Sequence, residues 1–133
     1  MSQQNMEVII QALEAYRAGG FAAGRAFLHP DFELVRSGFH FTESGTYRGY
    51  EAASESMMDY IGAFDDYRAE PEEFIDAGDH VVVAQTELGR ARSSRVELRE
   101  RWYAVFTLRD GKILRLQWFG ERAQALEAAG LPG

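Results

Sequence analysis

From residue 72 to residue 121 the chain reads as a ladder of strands joined by tight turns, and no other stretch constrains its fold as strongly. The block opens Glu72-Glu73-Phe74-Ile75-Asp76-Ala77-Gly78-Asp79-His80-Val81-Val82-Val83 and ends Leu116-Gln117-Trp118-Phe119. Side chains alternating with a period of two mark strands with two unlike faces. The pattern predicts strands over 67–75, 80–88, 95–108 and 112–120. Pro71 lacks an N–H, which confines the first of these to a sheet edge or a bulge. Ala77-Gly78-Asp79 forms a turn. Asp110-Gly111 forms a hairpin, because Gly tolerates positive φ. A helix over 122–129 follows, with Gly130 at its end.

Upstream the period is 3.6. Met6, Ile9, Ile10, Leu13 and Tyr16 fall on one helical face, with Asn5 as the cap and Gly19-Gly20 as the stop. A second short helix fits residues 21–28, ahead of Pro30. Phe32, Leu34 and Arg36 alternate with Asp31, Glu33 and Val35 as a strand. Residues 37–49 read as an irregular, aromatic-rich segment. Tyr50, Ala53, Met57, Ile61 and Phe64 return to helical spacing after Gly49. Helices first and strands afterwards define an α+β fold. The expected architecture is a cone-shaped curved antiparallel sheet packed against three N-terminal helices, with a short C-terminal helix. The 133 residues suit one domain, 1–133. The inside of such a cone is a natural ligand site.

Composition narrows the chemistry. The net charge is −7 and Lys112 is the only lysine, so no nucleic-acid partner is expected. The absence of Cys excludes disulfides, thiolate catalysis and Cys-ligated metals. His29, His40 and His80 lack paired spacing, so no metal is expected. No Gly-rich phosphate loop joins a strand to a helix, so no cofactor is implied. No apolar run approaches the roughly 18 residues that span a bilayer. The first residues lack the basic and apolar stretches of a signal peptide. A cytoplasmic protein with no membrane partner is the expectation. Aromatics reach 13%, enough to line an interior or an interface with large side chains.

Several segments carry a family resemblance: His29-Pro30-Asp31-Phe32-Glu33, Thr46-Tyr47-Arg48-Gly49-Tyr50-Glu51-Ala52, Phe74-Ile75-Asp76-Ala77-Gly78-Asp79, Leu108-Arg109-Asp110-Gly111-Lys112-Ile113, and Arg122 through Leu131. With the order of elements, they make the chain resemble SnoaL-like proteins of the nuclear transport factor two and ketosteroid isomerase-like superfamily. The resemblance implies a cone pocket for a small hydrophobic molecule, and a homodimer. It implies no single reaction, since that superfamily holds isomerases, cyclases, dehydratases, epoxide hydrolases and non-catalytic binders. Ketosteroid isomerase chemistry implies a Tyr on the first helix, an Asp ending the first strand and an acidic donor on the long strand. This chain has Ala12 or Leu13, Val35 or Arg36, and Ala104 there. The Arg-x-Asp pair and further Asp of limonene epoxide hydrolases correspond to Gln85-Thr86-Glu87 and Trp118, which leaves only Glu87 able to keep a role.

Candidate site residues follow. If the protein is catalytic, His40 or Glu87 is the base; His40 stands near Glu43, and a His beside a carboxylate suits proton transfer near neutral pH. Tyr16 orients the ligand. Arg36, Arg101 or Tyr103 stabilises developing negative charge. Tyr60 points inward and Asp59 outward, and Trp118 joins the cavity wall. An interior Arg36 needs a carboxylate partner, for which Glu87 is the candidate. Two readings stand for the polar face Glu97, Arg99, Arg101, Tyr103: an exposed ladder of ion pairs, or a pocket wall. A shift of one residue in register exchanges the two faces. The expected function is binding, with conversion by acid/base chemistry as its extension, of a small hydrophobic carbonyl or hydroxyl compound. The alternative is a non-catalytic dimeric module with a filled or vestigial pocket.

Overall fold

The computed structural model describes residues 2–36 and 45–133. The His40 expectation, with Phe39, Phe41 and Glu43, lies outside the described residues.

Helix α1 (Ser2–Gly24) is bent at Gly20, whose φ of 74° and ψ of −162° a residue with a Cβ rarely adopts. The bend divides it into the two helical runs that Gly19-Gly20 announced. A 3-10 turn (Arg25–Phe27) leads into β1 (Leu28–Arg36). The second helical run is therefore shorter than expected, and His29 stands in a strand. Asn5 is not a cap: it sits within α1, and its Nδ2 donates to the Gly78 carbonyl at 3.0 Å. That bond ties the helix to the turn between two strands.

Residues 45–48, expected to be irregular, form strand β2 (Gly45–Arg48), paired antiparallel with β1. Helix α2 (Tyr50–Ile61) follows, then β3 (Phe64–Ala77), β4 (His80–Ala91), β5 (Glu97–Arg109), β6 (Lys112–Phe119) and α3 (Arg122–Ala128). The strand order is β2-β1-β6-β5-β4-β3. Strands β3 to β6 form the antiparallel meander, but β1 lies parallel to β6, so the sheet is mixed. Edge strand β3 carries Pro71, and its register breaks between Pro71 and Glu73.

The sheet has two unlike faces. The inner one bears Phe32, Leu34, Val81, Val83, Ala104 and Phe106, all buried against Ile9 and Ala12 of α1 and Ala53 of α2. The outer one bears Val82 and Val105, covered by Ala125 and Ala129 of α3 and its C-terminal end. Period-two alternation thus gives one strand, β5, a place in both cores.

Ile9 is completely buried and fixes α1 to the inner face. Replacing it with Ala removes that contact and leaves a cavity. Ile9→Ala is expected to lower the unfolding free energy by about 2–5 kcal/mol, measurable by denaturant titration.

Candidate functional site

Between α1, α2 and the inner face lies a cavity of about 770 Å³. Its wall is largely apolar, with Leu28, Phe32, Leu34, Phe106, Ile113 and Leu116 among the lining residues. Arg68 and Glu70, both exposed, stand at its rim. A second recess, about 620 Å³, lies between the start of α1 and two turns, but its titratable groups Asp79, Arg109 and Asp110 are all exposed.

Among the described residues one buried carboxylate lines the cavity. Glu87 on β4 is only 5% exposed. Three donors converge on it: Tyr60 Oη on Oε1 at 2.7 Å, Trp102 Nε1 on Oε1 at 3.1 Å, and Tyr67 Oη on Oε2 at 2.5 Å. A buried carboxylate without such partners would be strongly disfavoured. The donors come from α2, β5 and β3, so the group joins helix to sheet.

Tyr67 reaches this point through a register break. The β3–β4 hairpin begins at Ala77↔His80, and carried on unbroken it would set Glu70 opposite Glu87; instead Ala69 pairs with Glu87. One extra residue at Glu72 causes the change. Glu72 and Glu73 both face outward, to Arg101 at 2.6 Å and to Arg122 at 2.8 Å. The bulge therefore turns the first half of β3 over and brings Tyr67 and Ala69 inside. A second break follows at Asp65–Arg68, where Asp66 has φ of 54°. Opposite it, a Cβ at Gly89 would stand 3.3 Å from the Asp65 carbonyl oxygen, a backbone atom, so this close approach favours glycine.

The tyrosines are strongly perturbed. Burial, then the Glu87 charge and the hydrogen bond to it, push the Tyr60 phenol well above its ordinary pKa, while the Arg36 charge acts the other way. The same causes in the same order raise Tyr67. Burial alone raises Tyr16, which lines the cavity.

Glu87, Tyr16, Tyr60 and Trp118 all line the cavity, and Asp59 points outward. Arg36 is buried, at 7% exposure, but it is not the partner of Glu87. Its Nη1 donates to the Ser56 hydroxyl at 2.6 Å and the Ser56 carbonyl at 3.2 Å, and its guanidinium lies 5.8 Å from the Tyr60 ring centre. Arg101 and Tyr103 do not reach the cavity. They occupy the odd, outer positions of β5, where Arg101 pairs with Glu72 and donates to Tyr103 Oη at 3.3 Å. The exposed-ladder reading of that face is the one the register gives. His80, half-buried, lies 3.0 Å from Thr107 Oγ1 through Nδ1. Two donors to Glu87, Tyr67 and Trp102, are not among the sequence-based site candidates. The one signal for Tyr67 was Pro71, which forecast a bulge without saying which half of the strand it would turn.

Among the described residues no cluster of three His, Asp or Glu side chains is placed to hold a metal ion, and no helix is long and apolar enough to cross a membrane.

Helices closing a curved mixed sheet around a cavity define a protein of the nuclear transport factor two-like class. Within it, the chain belongs to the SnoaL-like domain family, whose model matches residues 9–116. No protein of the curated set matches the chain. Solved structures share the fold. A protein of this class from Burkholderia thailandensis has 22% identity and a TM-score of 0.80, over 96% of this chain and 98% of its own. One assigned as a SnoaL-like polyketide cyclase from Jannaschia has 22% identity and a TM-score of 0.76, over 100% and 96%. TerC, crystallised with polyporic acid, has 24% identity and a TM-score of 0.75, over 96% and 98%.

Folding raises the pKa of Tyr16, Tyr60 and Tyr67, so the unfolded chain releases these protons first. The stability they contribute is complete below about pH 10, the ordinary tyrosine value, and is lost as pH rises beyond it. Spectrophotometric titration is expected to show the three phenols still protonated in folded protein above that pH, and ionising together on unfolding.

Proposed function

We propose that the protein binds a small hydrophobic compound bearing a hydroxyl or carbonyl group in the cone cavity, and converts it by acid/base chemistry. The observation that carries this reading is the carboxylate of Glu87, held by Tyr60, Tyr67 and Trp102 inside a largely apolar cavity of about 770 Å³. A purely structural core would fill that space. A hollow of this size matches those that enclose small organic ligands. Glu87 is the proton acceptor in this reading. Tyr60 and Tyr67 hold it in place and pass its effect to the ligand. Tyr16 and Trp118 orient the ligand's body. A polyketide cyclase assignment for the Jannaschia protein and the polyporic acid crystallised with TerC support a small organic ligand.

The competing reading is a non-catalytic binder; here Glu87, Tyr60 and Tyr67 converge, which favours conversion. Incubating the protein in deuterated water with a panel of phenols, enols and cyclic ketones separates the two. The expected result is deuterium uptake at carbon in at least one ligand, followed by mass spectrometry. Glu87→Gln should slow that uptake by about 10²–10⁴-fold, the usual contribution of a positioned acid or base. Binding without uptake would leave the non-catalytic binder.

A further inference from the structure

The sharp bend in α1 builds part of the cavity wall. In a straight helix, residues eight apart are separated by about 12 Å along the axis. Here a Cβ on Gly24 would stand 3.9 Å from the Tyr16 Cβ, and one on Gly19 only 2.7 Å from the Ala23 Cβ. The run after Gly20 is therefore folded back against the run before it. Gly20 permits this through its positive φ, and Gly19 through its missing Cβ. The fold-back lays Phe21 on Tyr16, with ring centroids 4.9 Å apart and planes at 51°. Phe21, Tyr16, Gly20 and Gly24 all line the cavity. Arg25, in the 3-10 turn that follows, stands 4.4 Å from the ring centre of Tyr50, which opens α2 and lines the cavity too. That contact ties the folded-back run to α2. Phe21 is half-buried, so its ring stands between the cavity and solvent.

Resting on the binding reading above, we infer that Phe21 is a specificity-determining residue, whose ring sets the size of ligand that the cavity encloses. A ligand that fills an apolar hollow gains affinity with each apolar group it takes out of water, about fourfold per methylene. The gain ends where the ligand meets Phe21. That ring does not yield easily. It is packed on Tyr16, and its backbone is held by the bend on one side and by the Arg25–Tyr50 contact on the other. Beyond this point an added group either stays in water or presses on a packed ring, and neither adds affinity. The Phe21 side chain has no polar atom, so it selects by size alone, whereas Glu87 and its donors hold the polar chemistry. A smaller residue at position 21 opens the hollow to longer ligands, and a larger one shortens it.

A series of 4-alkylphenols, from 4-methylphenol to 4-octylphenol, tests this by isothermal titration calorimetry. In the unmodified protein, affinity is expected to rise with each methylene and then stop rising at one chain length. Phe21→Ala should bind the short members more weakly, having lost part of the wall, and stop at a longer chain. Its longest members should gain about tenfold or more over the unmodified protein, the worth of about two further methylenes. Phe21→Trp should stop at a shorter chain. This crossing of the two affinity series separates a size limit from a merely structural role, which would weaken every member by one common factor. Circular dichroism checks that each variant is folded, and where Phe21→Ala is not, Phe21→Trp carries the test. A stopping point that stays at the same chain length in the folded variants, or an affinity that climbs without a break to 4-octylphenol in the unmodified protein, would overturn the inference while leaving the cavity a ligand site. Failure of the whole series to bind the unmodified protein would overturn the binding reading and this inference with it.

Discussion

Burying a carboxylate is the constraint around which this molecule is arranged. Glu87 sits at 5% exposure in a largely apolar hollow, where its charge cannot stand alone. The chain meets the need with three neutral donors and no ion pair among the described residues. An arginine would have cancelled the charge. Two phenols and an indole keep it, while giving it fixed partners. Each donor lies on a different element, so the polar group specifies how α2, β3 and β5 meet β4. The hollow and the buried Glu87 in its wall are consequences of a single packing solution.

The two faces of the sheet divide the labour. Inside, valine and aromatic side chains pack on Ile9, Ala12 and Ala53 and leave the cavity open beside them. Outside, α3 covers only part of the face, and the exposed part is crossed by pairs such as Glu73–Arg122 and Glu72–Arg101. The bulge at Glu72 serves both sides together. It sets two successive glutamates outward, where arginines meet them, and it turns Tyr67 inward, where Glu87 needs a donor.

Much of this was legible in the residues. Alternation from Phe74 to Phe119 located the meander, and the inner position of Glu87 and Trp102 follows from counting by two along β4 and β5. Tyr60 and Asp59 fell on the faces their helical spacing requires. The parallel pairing of β1 with β6 was not legible, because it joins segments far apart in sequence and has no local signature. For Arg101 and Tyr103 the polar face left two readings open, a solvated ladder and a pocket wall, and the register gives the solvated ladder. Arg36 was read correctly as buried but given the wrong partner: a strand position fixes the depth of a side chain, not where a long guanidinium turns. Tyr67 escaped because a one-residue bulge inverts half a strand, and Pro71 alone does not say which half.

The central claim is that Glu87 and its tyrosines act as one unit. A double-mutant cycle on unfolding free energy, combining Tyr67→Phe with Glu87→Gln, tests it most directly. The account predicts that the two changes are coupled by about 1–3 kcal/mol, as for groups sharing a buried hydrogen-bond network. Losses that simply add would contradict it.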